Sequence, residues 1–118
     1  MNYTISGRVI SGNGYGNKIG YPTINLDRRN FLRMKDKPEF GVYAGDVVFN
    51  SKTYKAGIII GPLDGEGLPK IEAHLIGFKG DAYGKQAIFE LKKFIRKFKK
   101  FKTEKELIAR IAKDLKEC

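Results

Sequence analysis

Two runs rich in β-branched and aromatic residues, FGVYAGDVVF at 40–49 and TYKAGIIIG at 53–61, flank Asn50-Ser51. Such runs suit a pleated, half-buried surface, and the short polar break between them predicts a β-hairpin. The same grammar recurs along the chain. YTISGRVI (3–10) predicts a strand running into a glycine-rich loop. YPTINL (21–26) resumes extended backbone, because Pro22 fixes its own φ and turns Tyr21 away from helix. GPLDGEGLP (61–69) reads as a further hairpin-like break ahead of the strand KIEAHLIGF, and the charged segment 27–39, with Pro38, as a loop with room for a helical turn.

The C-terminal segment is different in kind. In TEKELIARIAKDLKE (103–117), Thr103 and Glu106 have capping-box spacing, and Leu107, Ile108, Ile111, Ala112 and Leu115 line one face of a helix. Residues 86–101 stay open: QAIFEL suits a strand, whereas Leu91, Phe94, Ile95 and Phe98 match a helical stripe. Five or six strands with one terminal helix predict a mainly β fold, a small closed or partly closed barrel. At 118 residues the chain has room for one core, so one domain over 1–118 is expected.

Composition narrows the function classes. No stretch approaches the ~20 apolar residues of a membrane helix, and the N-terminus lacks a basic region followed by an apolar run, so the cytoplasm is the expected compartment. Cys118 is the only cysteine, which leaves no internal disulfide or cysteine metal cluster. The formal charge of +10 favours anionic partners, and KKFIRKFKKFK (92–102) concentrates seven basic residues without an acid.

Two stretches carry candidate chemistry. Gly12, Gly14, Gly16 and Gly20 crowd the loop before PTIN, and glycine lets backbone N–H groups approach an anion closely. Their spacing matches neither the P-loop nor the dinucleotide fingerprint, and strand follows rather than helix, so a flexible turn competes with a phosphate cover. Strand alternation puts Thr23 and Asn25 on one face and Ile24 and Leu26 on the other. A hydroxyl and a carboxamide oxygen suit Mg²⁺, which prefers oxygen ligands and keeps places for water and phosphate; edge-strand polar residues are the plainer reading. In KIEAHLIGF, Ile71, Ala73 and Leu75 share one face, and Glu72 and His74 the other. Glu72 is a candidate general base or a solvent-facing strand residue. His74, with no second histidine, reads as a packed or surface residue rather than a metal ligand.

Taken in order, GRVISGNGYGNKIGYPTINL, GVYAGDV, KIEAHLIGFKGDAYGK and FIRKFKKFKTEKELIARIAKD resemble the riboflavin kinase family, including the kinase module of bacterial bifunctional FAD synthetases. The family's signatures correspond to Pro22-Thr23-Ile24-Asn25, Gly41-Val42-Tyr43-Ala44, Glu72-Ala73-His74, Tyr83-Gly84 and the run from Ile95-Arg96 to Lys100-Phe101. The resemblance implies a six-stranded antiparallel Greek-key barrel with a C-terminal α-helix, with residues 86–95 as strand. It implies transfer of the γ-phosphate of ATP to the 5′-hydroxyl of riboflavin, giving FMN. It also implies roles: Gly14, Gly16, Lys18, Gly20, Thr23 and Asn25 at the nucleotide, Thr23 and Asn25 on Mg²⁺, Glu72 as acceptor of the hydroxyl proton, and Arg96 and Phe101 at the flavin.

Tyr15 and Asn17 stand where the family often has arginines, which leaves Lys18 as the nearest loop cation and nucleotide choice open. Ile59 and Leu63-Asp64 depart from the family's Asn-x-Gly and Pro-Thr after the third strand. With no nucleotidyltransferase half before Met1, the FMN-to-FAD step is expected to belong to a separate FAD synthetase, unless the chain is a fragment. The competing readings are a basic barrel binding nucleic acid through Phe94, Phe98 and Phe101 among lysines, and a flavin sensor without catalysis. The partners expected are small molecules, with no membrane and nucleic acid disfavoured.

Overall fold

A computed structural model describes residues 2–10, 20–78, 80, 82–98 and 101–118. The expectations attached to Gly12, Gly14, Gly16 and Lys18, with Tyr15 and Asn17, lie outside the described residues, as does that for Lys100. Six strands, β1 (Tyr3–Ile10), β2 (Ile24–Leu26), β3 (Gly41–Phe49), β4 (Lys52–Leu63), β5 (Pro69–Leu75) and β6 (Gln86–Arg96), close into a barrel in the order β1-β2-β5-β4-β3-β6. Every pairing is antiparallel, and β6 returns to β1 to seal the ring. The expected barrel is therefore present. Of the segment open between strand and helix, residues 86–96 are strand, and the resemblance had implied strand for 86–95.

Alternation builds the core. Ile5 and Val9, Val47 and Phe49, Ile58 and Ile60, Ile71 and Ala73, and Phe89 and Leu91 point inward and are almost fully buried. The helical stripe in 91–98 loses because Ala87, Phe89 and Leu91 have a closed interior to fill at a period of two. The hairpin between β3 and β4 pairs Phe49 with Lys52, and Asn50 and Ser51 take φ values of 56° and 63°, the doubly positive turn that matches strand twist. Between β2 and β3 the charged segment forms one short helix, α1 (Arg29–Arg33), whose Phe31 enters the core at 2% exposure.

The terminal helix α2 (Glu104–Lys116) starts as expected: the Thr103 hydroxyl accepts the Glu106 N–H at 3.2 Å. Its apolar face, including Leu107, Ile111 and Leu115, is half-buried on the outside of the barrel. Gly57 on β4 makes the seat, since a Cβ there would stand 3.1 Å from Leu115 Cδ2. Two residues on α2's flank pin it down. Asp114 is 6% exposed and ion-pairs with Arg96 at 2.8 Å and Arg110 at 3.0 Å, and Lys93 reaches Glu117 just beyond the helix at 2.9 Å.

Replacing Asp114 by Ala would leave the largely buried Arg96 guanidinium without its carboxylate. The partial exposure of Arg110 tempers the cost, so about 2 kcal/mol is expected. Hydrogen exchange should then rise in the amides of 104–116 before those of the barrel strands; uniform loss of protection would mean that Asp114 does not anchor the helix.

Candidate active site

Strand register places the candidate residues. Asn25 on β2 lies directly across from Glu72 on β5, so both side chains leave the same outer face as cross-strand neighbours. Continuing around the barrel, Glu72 faces Ile59, Ile59 faces Val42, and Val42 faces Arg96. At ~4.8 Å per strand, those four steps put Arg96 ~19 Å along the wall from Asn25. The structure thus brings Asn25 and Glu72 together, and separately Arg96 and Phe101.

Asn25 and Glu72 line a cleft of about 530 Å³. Arg28, Asp64, Glu66 and Lys70 form its charged wall, with Leu63 at the rim. Arg28 Nη1 and Asp64 Oδ2 pair at 2.7 Å, tying the segment after β2 to the turn between β4 and β5. Asp64 also organises that turn: its Oδ1 accepts N–H bonds from Glu66 at 2.8 Å and Leu68 at 3.1 Å. The Leu68 N–H, together with Arg28, holds the Asp64 carboxyl below the usual carboxylate range. The stretch where the sequence departs from the family it resembles is therefore a wall of the cleft, through Leu63 and Asp64.

Burial pushes the Glu72 carboxyl up from its ordinary value, with nearby Lys70 opposing the shift. No protein hydrogen bond reaches the Glu72 carboxylate, the Asn25 amide or the Thr23 hydroxyl among the described residues. Thr23, half-buried, stands just before β2. Gly20, exposed with φ of 89°, is the part of the glycine loop that is described. No cluster of three His, Cys, Asp or Glu that could cage a metal exists among the described residues. A hard cation arriving with phosphate oxygens needs no such cage; the uncommitted oxygen of Asn25 beside Glu72 fits one, and Thr23, two residues upstream, does not line the cleft.

Arg96 turns out to be a hub of the helix anchor. Its guanidinium engages Asp114, donates to the Lys97 carbonyl at 3.2 Å and lies 5.7 Å from the centre of the Phe101 ring. Three lysines of the basic run are also paired: Lys92 with Asp46 at 2.5 Å, Lys93 with Glu117, and Lys97 with Glu39 at 3.6 Å. A nucleic-acid surface would leave these cations free for phosphates, and the nucleic-acid reading is not favoured.

Sequence reasoning passed over Arg28, Lys70 and Asp114, and marked Asp64 only as a departure from the family pattern. Asp114 had a visible signal, an acid between Ile111 and Leu115 on the apolar stripe and four residues after Arg110. The pairing of Arg28 with Asp64, 36 positions away, had none until the barrel closed.

The family model described as Flavokinase, riboflavin kinase, matches residues 1–118. The chain belongs to the riboflavin kinase family. It is 36% identical over 115 residues to the bifunctional riboflavin kinase/FMN adenylyltransferase of Escherichia coli K12, covering 95% of this chain and 36% of that protein. The chain thus spans about a third of the length of such relatives. Among solved structures, one described as a macrolide-efflux protein from Streptococcus pneumoniae matches with TM-score 0.84 at 30% identity, over 96% of this chain and 37% of that one. Riboflavin kinase from Trypanosoma brucei matches with TM-score 0.70 at 21% identity, over 98% of this chain and 76% of that one, which shows the shared barrel. No helix among the described residues is long and apolar enough to cross a membrane.

Proposed function

We propose that this riboflavin kinase family barrel transfers the γ-phosphoryl group of a nucleoside triphosphate, ATP in the first instance, to the 5′-hydroxyl of riboflavin. The carrying observation is the cross-strand pair Asn25 and Glu72 in one cleft, with both polar groups uncommitted and the carboxyl partly desolvated. The riboflavin hydroxyl oxygen attacks the γ-phosphorus, the bond from that phosphorus to the bridging oxygen breaks, and the nucleoside diphosphate leaves with the electron pair. The hydroxyl proton goes to a Glu72 carboxylate oxygen. Because phosphoryl transfer passes through a loose transition state, Glu72 chiefly orients the hydroxyl and takes its proton late.

Thr23 and Asn25 would hold Mg²⁺, which when bound neutralises charge developing on the phosphate oxygens. Gly14, Gly16, Lys18 and Gly20 would cover the nucleotide phosphates with backbone N–H groups and one cation. Arg96 and Phe101, stacked together, would serve the flavin end of the site, with α2 setting their position through Asp114. FMN is the product, and a separate FAD synthetase would consume it. The cytoplasm, where both substrates occur, is the proposed compartment.

Incubation with riboflavin, Mg²⁺ and each of ATP, CTP and GTP, followed by separation of flavins, should give FMN with at least one nucleotide. Flavin binding without FMN would favour the sensor reading. Thr23→Ala and Asn25→Ala should each raise the Kd for Mg-nucleotide by roughly tenfold or more while changing riboflavin affinity less than about threefold. A titration with the opposite split would overturn the metal assignment.

A further inference from the structure

Strand β2 is three residues long and meets β5 at two register positions, Ile24 with Ala73 and Asn25 with Glu72. Extending that register one step upstream sets Thr23 across from His74. The ladder cannot continue normally beyond it, because Pro22 has no N–H to donate. The Pro22 carbonyl is then left to find a donor outside the ladder, and it finds the imidazole: His74 Nδ1 stands 2.7 Å from Pro22 O. A carbonyl oxygen only accepts, so Nδ1 carries the proton and Nε2 is the bare nitrogen of the neutral ring. Tyr21 meets the same ring edge-on, with centroids 5.6 Å apart and planes at 77°.

His74 therefore grips the two residues immediately ahead of Thr23, and it does so from the strand that carries Glu72 two positions earlier. We propose that His74 is a positioning residue for the metal-nucleotide arm of the site, its Nδ1–H bond to Pro22 fixing Thr23 and Asn25 relative to Glu72. The inference rests on the phosphoryl-transfer reading above. The ladders of β2 with β1 and β5 begin only at Asn25 and Ile24, so among the described residues the His74 contacts tie the segment ahead of them to β5, and errors of about 1 Å in such positioning cost on the order of 10²-fold in rate.

His74 is the sole histidine of the chain, so its two imidazole nitrogens are assigned without ambiguity in a ¹⁵N spectrum. The expected neutral form is the Nδ1-protonated tautomer; a spectrum showing protonated Nε2 and bare Nδ1 would overturn the proposal at its first step. Kinetics then test the consequence. His74→Leu should raise the KM for Mg-nucleotide by roughly tenfold, with the riboflavin KM changed by less than about twofold, and His74→Asn, whose amide can donate from nearly the Nδ1 position, should recover most of that loss. An unchanged nucleotide KM in a folded His74→Leu protein, or a loss that Asn does not recover, would overturn the inference while leaving the kinase reading intact. Failure of the wild-type chain to make FMN would overturn the kinase reading and this inference with it.

Discussion

Glu72→Gln should lower kcat for FMN formation by roughly two or more orders of magnitude while riboflavin and Mg-nucleotide still bind. Gln keeps the size of the side chain and its place across from Asn25, so only the proton acceptor is lost. The same substitution should leave the melting temperature unchanged or higher. Burial raises the Glu72 pKa in the folded chain, so the fold holds that proton more tightly than the unfolded chain does. The ionised form consequently destabilises the fold at neutral pH, and the destabilisation fades as pH falls through the raised value.

Activity runs the other way. In the proposed mechanism the carboxylate is ionised when it takes the hydroxyl proton, so kcat/KM should fall with acidification at a higher pH than a solvent-exposed glutamate would give, and that limb should vanish in Glu72→Gln. A variant with unchanged turnover would remove Glu72 from the chemistry. Loss of both activity and thermal stability would point to a structural role instead.

Gly45→Ala should have the largest effect on stability. Gly45 lies on β3 at a register shift against β6, where the two strands approach so closely that an added Cβ would overlap the Glu90 carbonyl oxygen, with Ile58 Cδ1 at 3.2 Å. The obstacle is backbone, which cannot rotate away as a side chain could. Either β3 and β6 separate or Glu90 loses its place in the ladder, and a loss of about 3 kcal/mol is expected. For a chain of this size that corresponds to ~12 °C in Tm. A decrease of only one or two degrees would show that the bulge relaxes easily, and that the closeness of β3 and β6 contributes little to closing the barrel.

The parts of this molecule legible in its sequence are those governed by period and by turn chemistry. Alternation in KIEAHL separates Ile71 and Ala73 from Glu72 and His74, and Asn50-Ser51 announces its hairpin, because a strand fixes the side of every residue and a two-residue turn fixes the pairing. The pairing partners were not legible. Nothing local says that Asn25 will meet Glu72 rather than a residue of β3 or β4, since register between strands distant in sequence is set by how the whole barrel fills. The resemblance named both residues, but the cleft they share is a property of closure.

Residues 86–101 stayed open between strand and helix because Leu91, Phe94, Ile95 and Phe98 satisfy a helical template by coincidence while QAIFEL suits a strand. In the fold Leu91 is buried inside, while Phe94 and Phe98 stay on the outer surface, 40% and 38% exposed. The basic run looked like a nucleic-acid surface because its acids come from elsewhere: Asp46 on β3, Glu39 before β3, and Asp114 and Glu117 at the end of the chain. Net charge was read correctly, whereas its local neutralisation required the third dimension.

In the proposed reaction, phosphate passes to riboflavin in the cleft of Asn25 and Glu72. Its most direct test is to supply nucleoside triphosphate labelled in the γ-phosphate, with Mg²⁺ and riboflavin, to the wild-type chain and to Glu72→Gln, and to follow the label into separated flavins. Label should appear in FMN with the wild-type chain and accumulate at least about a hundredfold more slowly with Glu72→Gln. No labelled flavin from any of ATP, CTP or GTP with the folded wild-type chain, or equal rates from the two proteins, would contradict the account.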